Sequence, residues 1–74
     1  MSKCVLIKVI DREIYTEQFD SVEEAWSVVV QEFNEFINEN GIYPDYDCQL
    51  NENWLSAWAN GVFTCIDWTI HVIE

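Results

Sequence analysis

Cys4, Cys48, Cys65 and His71 are the residues best suited to soft-metal or nucleophilic chemistry in this chain. A structural zinc site needs four such donors at one point and usually shows C-x₂-C spacing, which is absent here. Cys4 and Cys65 lie in strand-like apolar runs, where a cysteine acts as a small hydrophobe. A Cys48–His71 nucleophile pair would need an orienting group and an oxyanion site, and no residue marks either. Asp45, Asp47 and Glu52 begin like a calcium loop, with D-x-D spacing. The pattern then fails, because the sixth position is not glycine and Ser56 stands where the bidentate glutamate belongs. With only Gly41 and Gly61, no glycine-rich phosphate loop can form. The expectation is a non-enzymatic protein with no catalytic residue, no metal and no cofactor.

What the chain has in excess is negative charge. Fourteen Asp and Glu stand against three Lys and Arg, a net charge of −11 over 74 residues. Lys3, Lys8 and Arg12 hold all the positive charge, and no cation follows. Such self-repulsion works against a compact state. Nucleic acid and anionic membranes would be repelled rather than bound. A basic protein surface is the partner that this charge fits.

The acid is also patterned. On a helical projection, Glu24, Glu32, Glu35 and Glu39 fall within about 80° of one another and span roughly 22 Å of axis. No lysine compensates them locally, although like charges three and four residues apart weaken a helix. Such a row resembles the charge row of a nucleic-acid backbone. It could occupy a basic groove that ordinarily holds DNA or RNA, with complementarity speeding the encounter. Asp45 and Asp47 extend the acidic set into the next loop. The ordinary alternative is a solvated helix face.

The elements that must position these groups are legible from periodicity. Ser21 to Asn40 carries Val22, Ala25, Trp26, Val29, Phe33, Phe36 and Ile37 at helical spacing. Ser21 with Glu24 forms a capping-box pair, and Asn40-Gly41 ends the helix. Before it, Lys3 to Ile10 reads as a strand apolar on both faces, inside the sheet. Asp11-Arg12 is a two-residue turn, and Glu13 to Phe19 is a more exposed strand. Residues 42 to 53 read as a loop, with proline, Asn and Asp and no period. Trp54 to Asn60 and Val62 to Ile73 are the last two strands, joined through Asn60-Gly61 as a tight hairpin.

The architecture expected is therefore α+β: a two-layer β-β-α-β-β single domain over residues 1–74, with a four-stranded antiparallel sheet packed on one helix. The hairpin register sets Ala59 opposite Val62, Ala57 opposite Thr64 and Leu55 opposite Ile66 on the helix-packed face. Trp58 then faces Phe63 and Trp54 faces Asp67 on the open face. Trp54, Trp58 and Phe63 would form an aromatic patch, joined by Tyr43 and Tyr46 from the loop, and tryptophan and tyrosine are favoured interface anchors. An off-by-one register would instead bury the set. A homodimer that covers the open face is the competing use. In that reading the protein is a structural or accessory one, and its acidity serves solubility only.

The odd number of cysteines without paired spacing, and the lack of a signal peptide or membrane-length apolar run, point to a reduced, cytoplasmic protein. In its length, its charge and its C-terminal SAWANG…CIDWTI (Ser56 to Gly61 and Cys65 to Ile70), the chain resembles small acidic proteins encoded by phages and bacterial mobile elements. Anti-CRISPR proteins are the best-known inhibitors among these, and several act as DNA mimics. The resemblance covers about a third of the chain and carries no residue role. It implies an inhibitor of a host nucleic-acid-binding protein, such as a CRISPR effector.

Overall fold

The computed structural model describes residues 3–42 and 46–73. The elements run β1 (Cys4–Ile10), β2 (Glu13–Phe19), α1 (Val22–Asn40), β3 (Cys48–Asn51), β4 (Ser56–Asn60) and β5 (Cys65–Val72). The class is α+β, with one helix on a fully antiparallel sheet of order β2-β1-β5-β4-β3. As its two apolar faces require, β1 is interior, between β2 and β5. The exposed strand β2 forms one edge.

The sheet has five strands rather than four. The added one, β3, lies in the stretch read as a loop. It is only four residues long, and Asp and Asn residues flank it, so it shows too little period to be seen locally. Its pairing with β4 creates it: Cys48 sits opposite Ala59 and Leu50 opposite Ala57.

The helix is bounded by its caps. Ser21 is extended, at φ −147° and ψ 153°, and its Oγ accepts the Glu24 N–H. Gly41 takes φ 61°, and its N–H donates to the Ile37 carbonyl. Ala25, Val29 and Phe33 turn the apolar stripe into the core. From the sheet side come Cys4, Leu6, Ile66, Trp68, Ile70, Ala57 and Ala59. Trp68 is the largest fully buried side chain, with Phe33 and Phe36 set edge-on against it at 5.8 and 6.4 Å between ring centres. Aromatic pairs favour this geometry over face-to-face stacking. The small Ala57 and Ala59 let the helix approach β4 closely.

The β4–β5 hairpin differs from expectation. Neither Asn60 nor Gly61 has positive φ. The loop is four residues, 61 to 64, closed by the Gly61 N–H donating to the Thr64 carbonyl at 2.7 Å. Ala57 therefore pairs with Trp68, and Ala59 with Ile66. The register has moved by an even number, so every strand side chain keeps its expected face. The gain is in packing, since each small alanine now lies beside a large buried side chain. Gly61 is needed for space rather than for φ: a Cβ there would lie 2.9 Å from the Asn40 Oδ1 and 3.0 Å from the Thr64 carbonyl.

The β1–β2 hairpin forms through Asp11-Arg12, both at positive φ (49° and 78°) without glycine. Tertiary bonds hold it. The Asp11 N–H donates to the Cys65 carbonyl, and its Oδ1 accepts the Cys65 N–H at 3.0 Å.

Candidate protein-binding surface

Four positions on α1 define the acidic flank, and their surroundings differ. Glu24, Glu35 and Glu39 are exposed. Glu32 projects nearest the apolar stripe and is only partly exposed. Its Oε1 accepts the Lys8 Nζ at 3.0 Å and the Trp68 Nε1–H at 3.1 Å. The expected lack of a compensating lysine is thus corrected at this position. Lys8 comes from β1, on the helix-facing side of an otherwise apolar strand, and must meet an acid there or lie unpaired. Glu32 joins helix to sheet, and the outward charge of the flank is carried by the other three.

The flank overlooks the β1–β2 side of the sheet. Leu6, Lys8, Tyr15, Thr16, Glu17 and Glu32 line a small cleft of about 70 Å³ between them. Glu13, Tyr15 and Glu17 are on the helix-facing side of β2 and exposed. The Tyr15 hydroxyl donates to the Glu13 Oε2 at 2.6 Å, and this bond raises the Tyr15 pKa above its ordinary value. Glu17 shares that cleft with Glu32, and Glu13 adds a second exposed carboxylate on the same side of β2. Only the helix part had a sequence signal. The strand part depends on the β1–β2 register.

Asp47 lies elsewhere, partly exposed near the C-terminal end of α1, beside Asn40, Ile42 and Asn60. Its carbonyl accepts the Asn60 N–H at 2.7 Å. Asp45 and Tyr43 lie outside the described residues.

The aromatic patch is not assembled as expected. Trp58 is on the open face of β4, partly covered, with its Nε1–H on the Gln49 Oε1 and Asp67 opposite it. Trp54 does not face Asp67. It lies in the β3–β4 turn, 77% exposed, because Leu55 at φ 51° ends the extended run before β4. Phe63 is 93% exposed in the β4–β5 loop, at the other end of β4, because that loop is longer than two residues. Five strand residues separate the two turns, about 17 Å. Tyr46 is exposed just before β3. The larger apolar feature of the open face is Val5, Ile7 and Val9 of β1 with Ile14 of β2.

The thiols and the histidine divide between faces. Cys4 and Cys48 are buried on the helix side, whereas Cys65 and His71 are exposed on the other. The Cys4 Sγ donates to the Ser21 carbonyl, and burial, then Glu23 and Glu24, push its pKa up. A raised pKa is the reverse of what a nucleophilic thiol needs. No described helix is long and apolar enough to cross a membrane. Compared with known proteins, the chain matches no family model, no curated protein and no solved structure.

Proposed function

We propose that this protein is a non-enzymatic inhibitor that binds a basic, nucleic-acid-binding protein and occupies the surface on which that partner holds nucleic acid. A phage-encoded inhibitor of a defence nuclease such as a CRISPR effector is its concrete form. The observation that carries the reading is the exposed, uncompensated acid along α1 and β2. Among the described residues, the only ion pair is Lys8–Glu32. The exposed cations Lys3 and Arg12 sit at opposite ends of the β1–β2 hairpin.

Charge density narrows the kind of surface. Glu24 to Glu39 covers roughly 22 Å of helix axis. Duplex DNA would carry about 13 charges over that length, and a single strand about six. Glu24, Glu35 and Glu39 supply three carboxylates along that axis, with Glu13 and Glu17 on the neighbouring strand. The density is closer to that of one strand than of a duplex.

The test is competition on a purified effector carrying a labelled single-stranded oligonucleotide. The protein should displace the oligonucleotide. Glu24→Gln, Glu35→Gln and Glu39→Gln together should weaken displacement by about tenfold and flatten its salt dependence. Glu32→Gln should change it little, because Lys8 already neutralises that charge. Equal displacement by the triple variant would remove the mimicry reading.

A second reading, self-association through the open sheet face, is favoured by Ile14, 69% exposed beside partly covered Val9. Sedimentation over a concentration series separates the two. A dimer weakened by Trp58→Ala or Ile14→Thr supports self-association, and a monomer throughout removes it.

A further inference from the structure

The β2 edge has a property that acidity alone does not supply. β2 pairs with β1 on one side only. Its two-residue turn fixes which main-chain groups are spare. Ile10 and Glu13 flank the turn and form the closing hydrogen-bonded pair, and bonded pairs then recur at every second step. The N–H and C=O groups of Ile14, Thr16 and Gln18 therefore point away from β1. No main-chain group of another described element bonds to them.

Proteins commonly blunt such an edge with a short strand, a bulge, a proline or charged side chains, lysine above all. β2 is seven residues long, keeps an unbroken register with β1 and contains neither proline nor lysine. Its only charges are acidic, Glu13 and Glu17 on the helix-facing side, so they guard the edge against acidic strands and leave it open to a basic one, while Ile14 is exposed on the other side.

We propose that β2 is a docking edge on which an extended basic segment of the partner protein adds as a sixth strand. This rests on the proposed function and specifies how the partner is held. Charge selects the occupant. A second copy pairing antiparallel about Thr16 would bring two α1 flanks, each with exposed Glu35 and Glu39, toward one another, on chains of charge −11 each. A segment that alternates basic and apolar residues has the opposite match. Its Lys or Arg side chains lie along Glu13, Glu17 and the α1 flank, and its apolar side chains lie beside Ile14. Main-chain bonds supply affinity and the period of two supplies selection.

The test uses the full chain, labelled with ¹⁵N, and a synthetic peptide of alternating Lys and Val. A control peptide of the same sequence is N-methylated at alternate residues so that it cannot pair. The unmodified peptide should slow amide exchange at Ile14, Thr16 and Gln18, and the methylated one should bind about tenfold more weakly. Glu13→Lys with Glu17→Lys, both at exposed positions, should weaken binding of the unmodified peptide by about tenfold. If both peptides bind equally and shift mainly the amides around Glu24, Glu35 and Glu39, edge pairing is overturned while the acidic-surface reading stands. If neither binds, edge pairing is overturned, and the oligonucleotide competition judges the function by itself.

Discussion

Glu32 has two hydrogen-bond donors on one oxygen, and they come from different strands. Removing Lys8 would leave the carboxylate partly covered and bound only by the indole. Both side chains of the pair are about a quarter to a third exposed, so solvent screens much of the attraction. Lys8→Met is expected to cost about 1 kcal/mol, and Glu32→Gln about half that, since an amide oxygen still accepts both bonds. Urea denaturation measures both, and an unchanged midpoint in Lys8→Met would show the pair to be idle. Cys4 makes a pH-dependent contribution. Its thiol is raised above the ordinary 9.0 by burial and by Glu23 and Glu24, so the folded chain holds the proton to higher pH than the unfolded chain. Its contribution is full below 9.0 and is lost as pH rises through the folded value. Tyr15 is shifted in the same direction, and only the difference from Cys4→Ala isolates the thiol. Stability should fall as pH rises above 9.0, and less steeply in Cys4→Ala. Parallel curves would show that Cys4 titrates alike in both states.

Two left-handed residues at element ends differ in how well their side chains suit them. Gly41 takes φ 61° with nothing within 4 Å of where a Cβ would lie, so Gly41→Ala tests conformation without a clash. The expected loss is about 1 kcal/mol, or about 4–8 °C in Tm for a chain of this size. Arg12, at φ 78°, is the reverse case. Glycine fits the second position of such a turn, and Arg12→Gly should raise stability by about 0.5 kcal/mol in the same melting experiment. A fall would show that the arginine side chain contributes something larger than its strain. Most elements were legible because their signals are local: the α1 stripe with its caps, the two-sided apolar run of β1 and the alternation in β5. β3 was not, because four residues with Cys48 and Leu50 as their apolar members become a strand only against β4. Asn60-Gly61 does mark a turn, but it opens a four-residue loop rather than a two-residue one. Packing of Ala57 on Trp68 outweighed the local preference for positive φ. The site was half legible. Glu24, Glu35 and Glu39 follow from a helical projection, but Glu32 meets Lys8 across 24 residues, and no spacing rule reports that. The one hint was a lysine at a helix-facing position of an apolar strand.

The whole molecule measures 37 × 23 × 17 Å. At 0.01 M salt the Debye length is about 30 Å, so nearly every carboxylate feels every other, whereas at 1 M it is about 3 Å and only direct contacts survive. A chain of charge −11 with one ion pair among its described residues is therefore destabilised as a whole at low salt. Raising sodium chloride between those limits should raise Tm by several degrees. The partly buried Lys8–Glu32 pair will lose part of its attraction, but it is one contact against repulsion spread over the surface. Binding to a basic partner depends on the same charges with the opposite sign. Its affinity should fall over the same salt series, steeply if the carboxylates meet cations directly. The two slopes measured on one protein separate the uses of the acid. Rising stability with falling affinity means that charge which strains the free fold is relieved in the complex. Rising stability with salt-independent association means that the acid only keeps the chain soluble and that contact is made through the apolar open face.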